Sequence, residues 1–276
     1  MMLIRCSQRY GKAFLFSLLL ALIPAFAFNA PAAADQTTSA DANYLNTISF
    51  DSDYSVISNL KQNWNLATLA YGRQFNFGSV TGYISKANRF SENGYQYGIY
   101  AYPHLFKGAY LYLNYARSGS PLFPENRYDS EIFFSLPHAY EFSVGERYMQ
   151  FSSITRIYTG SIGKYIGNYW ISYRPYITPG KVGTSVSHTL TVRRYFESAE
   201  HYISFYTSVG SSPMNLDQID PASIDAFHTT TFKVSGLNPL SKRLALGWGV
   251  AYSRQAFPRS TMRYVWDFSA GLAYKF

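Results

Sequence analysis

The C-terminal stretch Tyr264–Phe276 alternates so strictly that it constrains the architecture of the whole chain. Its even positions are Tyr264, Trp266, Phe268, Ala270, Leu272, Tyr274 and Phe276, all apolar or aromatic. Its odd positions are Val265, Asp267, Ser269, Gly271, Ala273 and Lys275. Only an extended strand, whose successive side chains point to opposite faces, keeps two such sets apart. A helix would smear Asp267 and Lys275 over the apolar surface. The stretch is also well beyond the ~5–6 residues of an average globular strand.

The same period recurs upstream, punctuated by Gly, Pro and Asn. Fourteen strands are predicted, at 44–54, 62–71, 74–86, 94–102, 108–117, 128–137, 140–149, 154–164, 168–177, 185–196, 201–209, 226–235, 244–254 and 264–276. Segments of about ten residues match a tilted strand crossing a bilayer. The links alternate in length, as in an antiparallel membrane barrel with short turns at one end and longer loops at the other. Short links are expected at Gly72-Arg73, Pro103–Lys107, His138-Ala139, Tyr165–Gly167 and Glu197–Glu200. Longer ones are expected at Ser55–Lys61, Ala87–Asn93, Ser118–Arg127 and Gly210–Asp225, the last carrying Asp217, Asp220 and Asp225. Gly236–Arg243 is long for a turn and Gln150–Ser153 short for a loop, so twelve strands is the alternative count.

Composition points the same way. The chain holds 26 Tyr and 21 Phe but only 14% charged residues, the balance expected where aromatic girdles meet two lipid interfaces. Before the first strand, Arg5, Arg9 and Lys12 precede an apolar run, and Ala32-Ala33-Ala34 fits a signal-peptidase site. Residues 1–34 therefore read as a signal peptide, 35–43 as a short periplasmic segment and 44–276 as the barrel. The one cysteine, Cys6, lies in the leader, which leaves the barrel without disulfide, thiol or cysteine-based metal chemistry. Loss of the three leader cations lowers the formal charge from +8 to +5, a modest excess without the basic runs of a nucleic-acid binder. No cofactor is expected. A soluble β-sandwich with its apolar face packed inward is the competing fold class.

The C-terminus resembles the last strand that the barrel-assembly machinery reads in bacterial outer-membrane proteins, with Ser269, Gly271, Tyr274 and Phe276 in the four defined places. That resemblance implies an outer-membrane location with both termini in the periplasm. The middle of the chain resembles the YaiO-type outer-membrane barrels through Gly145-Glu-Arg-Tyr148, Gly163-Lys-Tyr-Ile-Gly-Asn-Tyr-Trp-Ile-Ser-Tyr-Arg-Pro-Tyr176 and Arg193-Arg-Tyr-Phe196. It implies an all-β antiparallel barrel without an assigned chemistry, and through the family's repeat-fused members a link to surface-polysaccharide or envelope assembly.

A Lys or Arg facing lipid at mid-bilayer costs about 2–4 kcal/mol, so charges at strand centres should point into the lumen. The alternation puts Asp51, Asp53, Asp129, Glu131, Glu141 and Asp267 inside, with Arg147, Arg174 and Arg193 as partners. Such a set either fills a narrow lumen with ion pairs or lines a small polar channel of weak charge selectivity. Lys61, Arg89, Arg117, Arg127, Lys181, Arg254, Arg259 and Arg263 fall at the predicted outer loops and rim, as candidate contacts for lipopolysaccharide phosphates. For enzymatic chemistry the nearest approaches are Ser187-His188 and Glu200-His201. Neighbours on one strand point to opposite faces, so Ser187 and His188 form no dyad, and Glu200-His201 falls at a turn. His104, His138 and His228 stand singly, without metal spacing. The expectation is a non-enzymatic envelope barrel, structural or narrow-pored; the alternative is a barrel enzyme acting on lipid A, phospholipid or peptides.

Overall fold

A computed structural model describes residues 44–58, 63–89, 91–180, 183–211, 228–256 and 262–276. The expected leader 1–34 and the segment 35–43 lie outside them, as do Lys61, Lys181, Arg259 and the acidic residues Asp217, Asp220 and Asp225. Fourteen antiparallel strands follow one another around a closed barrel. They are β1 (Asn46–Ile57), β2 (Trp64–Phe75), β3 (Gly78–Arg89), β4 (Glu92–Phe106), β5 (Ala109–Ser118), β6 (Asn126–Leu136) and β7 (Tyr140–Gln150). The second half comprises β8 (Ile154–Ile166), β9 (Tyr169–Pro179), β10 (Thr184–Tyr195), β11 (Tyr202–Ser211), β12 (His228–Pro239), β13 (Leu244–Ala256) and β14 (Met262–Lys275).

The expected inside-out distribution is present. On β7, Tyr140, Phe142 and Val144 are exposed while Glu141 and Ser143 are buried. On β14, Tyr264, Trp266, Phe268, Leu272 and Tyr274 are exposed and Val265 and Ala273 buried. A soluble sandwich would bury those aromatics; here they form a continuous outer belt, which excludes that fold.

Closure depends on the seam between first and last strands. Asn46 and Phe276 exchange both backbone hydrogen bonds at 3.0 Å, and pairing runs from Thr47↔Lys275 to Ile57↔Val265. On the inner side Asp51 lies opposite Gly271, and a Cβ at position 271 would collide with the Asp51 carboxylate. Gly271 thus makes room for an inward acid. Tyr274 and Phe276 stack outward, with ring centres 6.1 Å apart. Arg243, in the turn before β13, donates to the Tyr44 hydroxyl at 3.0 Å and ties the two chain ends' neighbourhoods together.

The structure moves several predicted boundaries. The first short turn is Asn76-Phe77 rather than Gly72-Arg73, because Gly72 and Arg73 remain paired with Thr47 and Asn46. Ala87–Asn93 is no long loop: Asn88 pairs with Asn93 and Arg89 with Glu92, so β3 and β4 run almost to the bend. β4 continues through Pro103 and absorbs the irregularity as a bulge between His104 and Phe106. β12 extends to Pro239, which shortens the apparently long link to a turn whose Ser241 hydroxyl accepts from the backbone N–H of Leu244 at 3.0 Å. The count of fourteen stands over twelve. Two-residue bends close on Gly108 (φ 85°) and Gly167 (φ 55°), conformations that glycine adopts without a Cβ penalty.

Replacing Gly271 with Val should therefore weaken closure. The temperature at which the folded gel band converts to the unfolded one should fall, and adding Asp51→Ala should restore part of the loss. An unchanged conversion temperature in Gly271→Val would show that the seam does not depend on this contact.

Candidate functional site: the barrel lumen

Inward parity brings the charges together in two groups. The first spans β5 to β9. Arg127 Nε donates to both Asp129 oxygens at 3.0 and 2.9 Å, with the ion pair closing to 2.7 Å. Asn114 donates to Asp129 at 3.2 Å and accepts from the Tyr83 hydroxyl at 3.2 Å. Arg174 meets Glu131 at 2.5 Å, and Ser143 donates to the same carboxylate oxygen at 2.6 Å. Arg174 also donates to Thr159 at 3.4 Å and Ser161 at 3.3 Å. Arg147 covers the ring of Tyr176 at 5.1 Å, and Glu141 is buried nearby on β7. Gly145 faces Glu131, whose Cβ and backbone leave no room for a side chain there.

The second group lies across the seam. Asp51 and Asp53 on β1 face inward, as does Asp267, which accepts from the Ser55 hydroxyl at 2.5 Å. Lys233 on β12 has the same parity through its register with Ala251 and Asp267. Ile57, Trp64 and Val265 form a buried apolar cluster at the loop end of this wall. Arg89 and Arg263 approach the Trp64 ring at 5.5 and 5.9 Å.

Three expected rim cations thus belong elsewhere. Arg89, Arg127 and Arg263 point into the barrel rather than outward to lipopolysaccharide: the first two are only 4% and 6% exposed, and the third stacks against the inward Trp64. The reason is parity: Arg127 sits two residues from Asp129, and therefore on the same face. Arg117 and Arg254 are exposed on the outer face.

Aromatic residues line much of the remaining wall. Tyr83, Tyr100, Tyr102, Tyr110 and Tyr112 form a chain of ring contacts at 5.1–6.4 Å, and Phe133 stacks on Tyr110 at 4.7 Å. Across the lumen the Arg193 guanidinium sits 4.2 Å from the ring of Tyr202, with Trp170 and Tyr195 at 5.4 and 5.8 Å. These cation–π contacts help to hold an inward cation in the wall.

At the mouth, the segment 119–125 between β5 and β6 folds inward. Leu122, 1% exposed, packs on the inward Leu66 and Ala87, with Phe123 against the same cluster. Gly94 lies under it, since a Cβ there would strike Ser120 and come within 3.3 Å of Leu122. Ser120 accepts from the Leu122 N–H at 3.2 Å, and Ser118 donates to the Tyr95 carbonyl at 2.6 Å. The segment is a built element, seated by apolar burial and held by its own Ser120 and by Ser118 at the end of β5.

Neither catalytic pair assembles. Ser187 is buried inside, whereas His188 faces outward and shares a 2.7 Å hydrogen bond with the Tyr173 hydroxyl. Glu200 is paired with Lys275, and His201 packs on Phe196 at 4.7 Å. One outer-wall feature escapes the rule placing strand-centre charges inside: Glu146 on β7 faces lipid, 3.7 Å from Arg156 on β8. An unpartnered acid there is unfavourable, though less so than the about 2–4 kcal/mol of a mid-bilayer Lys or Arg.

An apolar belt outside, a polar lumen and complete strand closure define a bacterial outer-membrane β-barrel. The chain belongs to the YaiO membrane β-barrel domain family, which it matches over residues 45–215, from β1 through β11. Among solved structures it is similar to the Acinetobacter baumannii outer membrane protein Omp33 (TM-score 0.53, 12% identity, covering 84% of this chain and 98% of the other). It is also similar to a bacterial polysaccharide outer membrane secretin (TM-score 0.52, 9% identity, 86% and 100% covered). A third is the CymD monoaromatic hydrocarbon channel (TM-score 0.53, 6% identity, 84% and 89% covered). These likenesses concern the fold. No curated protein matches the chain.

The Glu131–Arg174 pair gives a direct test of the inner network. Arg174→Ala, which strands a buried carboxylate, should destabilise the barrel by about 3–5 kcal/mol in urea unfolding from liposomes. Glu131→Gln combined with Arg174→Met should cost much less than the single change. Equal losses would mean that packing, rather than charge pairing, holds this wall.

Proposed function

We propose that this barrel is a non-enzymatic, narrow passage for small polar solutes, restricted at its mouth by the inward segment 119–125. The observation that carries the reading is the seating of Leu122 on Leu66 and Ala87, at the head of a lumen lined by ion pairs and tyrosines. Apolar anchoring fixes the segment across the entrance. Cations and anions side by side beneath it would give little discrimination by charge. The orientation that goes with this reading puts both termini and the short turns in the periplasm, and the segment at the cell surface. Of the rim cations expected from the sequence, Arg117 and Arg254 are then the described ones exposed toward lipopolysaccharide phosphates. The strand carrying Ser269, Gly271, Tyr274 and Phe276 serves as the signal for the barrel-assembly machinery.

A role in surface-polysaccharide or envelope assembly is a narrower version of the same reading. It is favoured by the tyrosine wall from Tyr83 to Tyr112, because aromatic faces suit the apolar faces of sugar rings. The enzyme alternative has less support: Ser187 and His188 lie on opposite faces, and Glu200 is engaged by Lys275.

Planar-bilayer recording tests the passage. The native barrel should give small, discrete conductance steps, and Leu122→Glu, which unseats the segment, should enlarge them at least twofold. Silence from both proteins, each shown to be folded by its heat-dependent gel shift, would contradict a passage and favour a filled, structural barrel.

A further inference from the structure

We propose that the outer wall between β4 and β8 carries a docking cleft for a phosphorylated, acylated glycolipid of the leaflet on the loop side. The cleft has a volume of about 560 Å³ and faces away from the lumen. Its floor drops at the small residues Ala101 and Ser130, which lie on either side of Leu113. The next row toward the loops is bulky, running Tyr115↔Tyr128↔Tyr148 and ending opposite Arg156. Tyr115 and Tyr128 pack at 5.0 Å, Tyr128 and Tyr148 at 5.8 Å, and Arg156 lies 5.7 Å from the Tyr148 ring. The low, largely apolar floor and the aromatic ledge together make a recess for acyl chain below and headgroup above.

The charges choose the headgroup. Glu146 and Arg156 are separated by 3.7 Å, too far for a hydrogen bond, and their side chains are 38% and 56% exposed. Arg156 is therefore oriented by the acid but retains donors for a phosphate, while Glu146 retains acceptor capacity for a sugar hydroxyl. Arg117, exposed on β5, stands one outward position beyond the lining residue Tyr115, on the side of the cleft away from β8. Three strand spacings separate β5 from β8, on the order of 14 Å, and Arg117 lies two residues nearer the loops than the row of Arg156. The two cations thus stand on the order of 16 Å apart and can engage separate anionic groups of one headgroup. Two copies of the chain facing each other here would oppose the same arginines, which disfavours a homodimer on this face.

The assignment to a glycolipid rests on the loop end facing the cell surface, where that lipid class resides. Both can be tested on the full-length protein. Purified barrel in detergent is incubated with lipid A or phosphatidylglycerol, stripped of loose lipid and weighed by native mass spectrometry. Lipid A should be retained at least tenfold better than phosphatidylglycerol. Arg117→Ala with Arg156→Ala, and separately Ser130→Trp, which fills the cleft, should each reduce retention about tenfold while the heat-dependent gel shift stays native. Equal retention by native and altered proteins, equal retention of both lipids, or a dimer abolished by Ser130→Trp would overturn the proposal. Orientation is read independently by Ser152→Cys and a membrane-impermeant maleimide on intact cells. Labelling supports the surface assignment; its absence, with phosphatidylglycerol retained in preference, would overturn the glycolipid together with the orientation, whereas silence in conductance leaves the cleft untouched.

Discussion

Within a bilayer every backbone N–H and C=O must find a partner in the protein, and in this chain that requirement is met only when β14 returns to pair with β1. The reciprocal bonds between Asn46 and Phe276 and the fit of Asp51 over Gly271 close the last open edge. Once closed, the period of two has a fixed meaning. One parity faces hydrocarbon and takes Tyr, Phe, Ile and Leu; the other faces a shared interior and takes the charges.

That interior replaces an apolar core. Its buried charges are satisfied in pairs such as Arg127–Asp129 and Arg174–Glu131, each with hydroxyl or amide support, and by guanidinium groups lying on aromatic rings. The blocks that carry the family resemblance feed this arrangement directly. Gly145 clears space for Glu131, Arg147 reaches Tyr176, Arg174 reaches Glu131, and Arg193 packs among Trp170, Tyr195 and Tyr202. The segment 119–125 then narrows the entrance to what they enclose.

The strand count and most strand centres were legible because alternation over ten or more residues has no helical counterpart. Strand ends were less so. Gly72-Arg73 has turn composition, yet pairing with β1 as far as Arg73 and with β3 as far as Phe75 carries β2 four residues farther, and the β1 pairing is a long-range fact. The misplacement of Arg127 had a visible remedy in its spacing from Asp129; that of Arg89 and Arg263 depended on where the strands ended. The inward fold of 119–125 left only one trace, the apolar Leu122-Phe123-Pro124 within an otherwise polar link. Glu146 broke the rule that central charges face inward, because Arg156 on the next strand relieves its exposure to lipid.

The two-faced wall is tested most directly by single cysteines placed along β7 at positions 140 to 148, labelled with a fluorophore and reconstituted into vesicles containing a lipid-bound quencher. Quenching should alternate, strong at Tyr140, Phe142, Val144, Glu146 and Tyr148 and weak at Glu141, Ser143, Gly145 and Arg147. A smooth profile, or strong quenching at Glu141 and Arg147, would contradict the assignment of charges to the lumen and with it the account of what this barrel encloses.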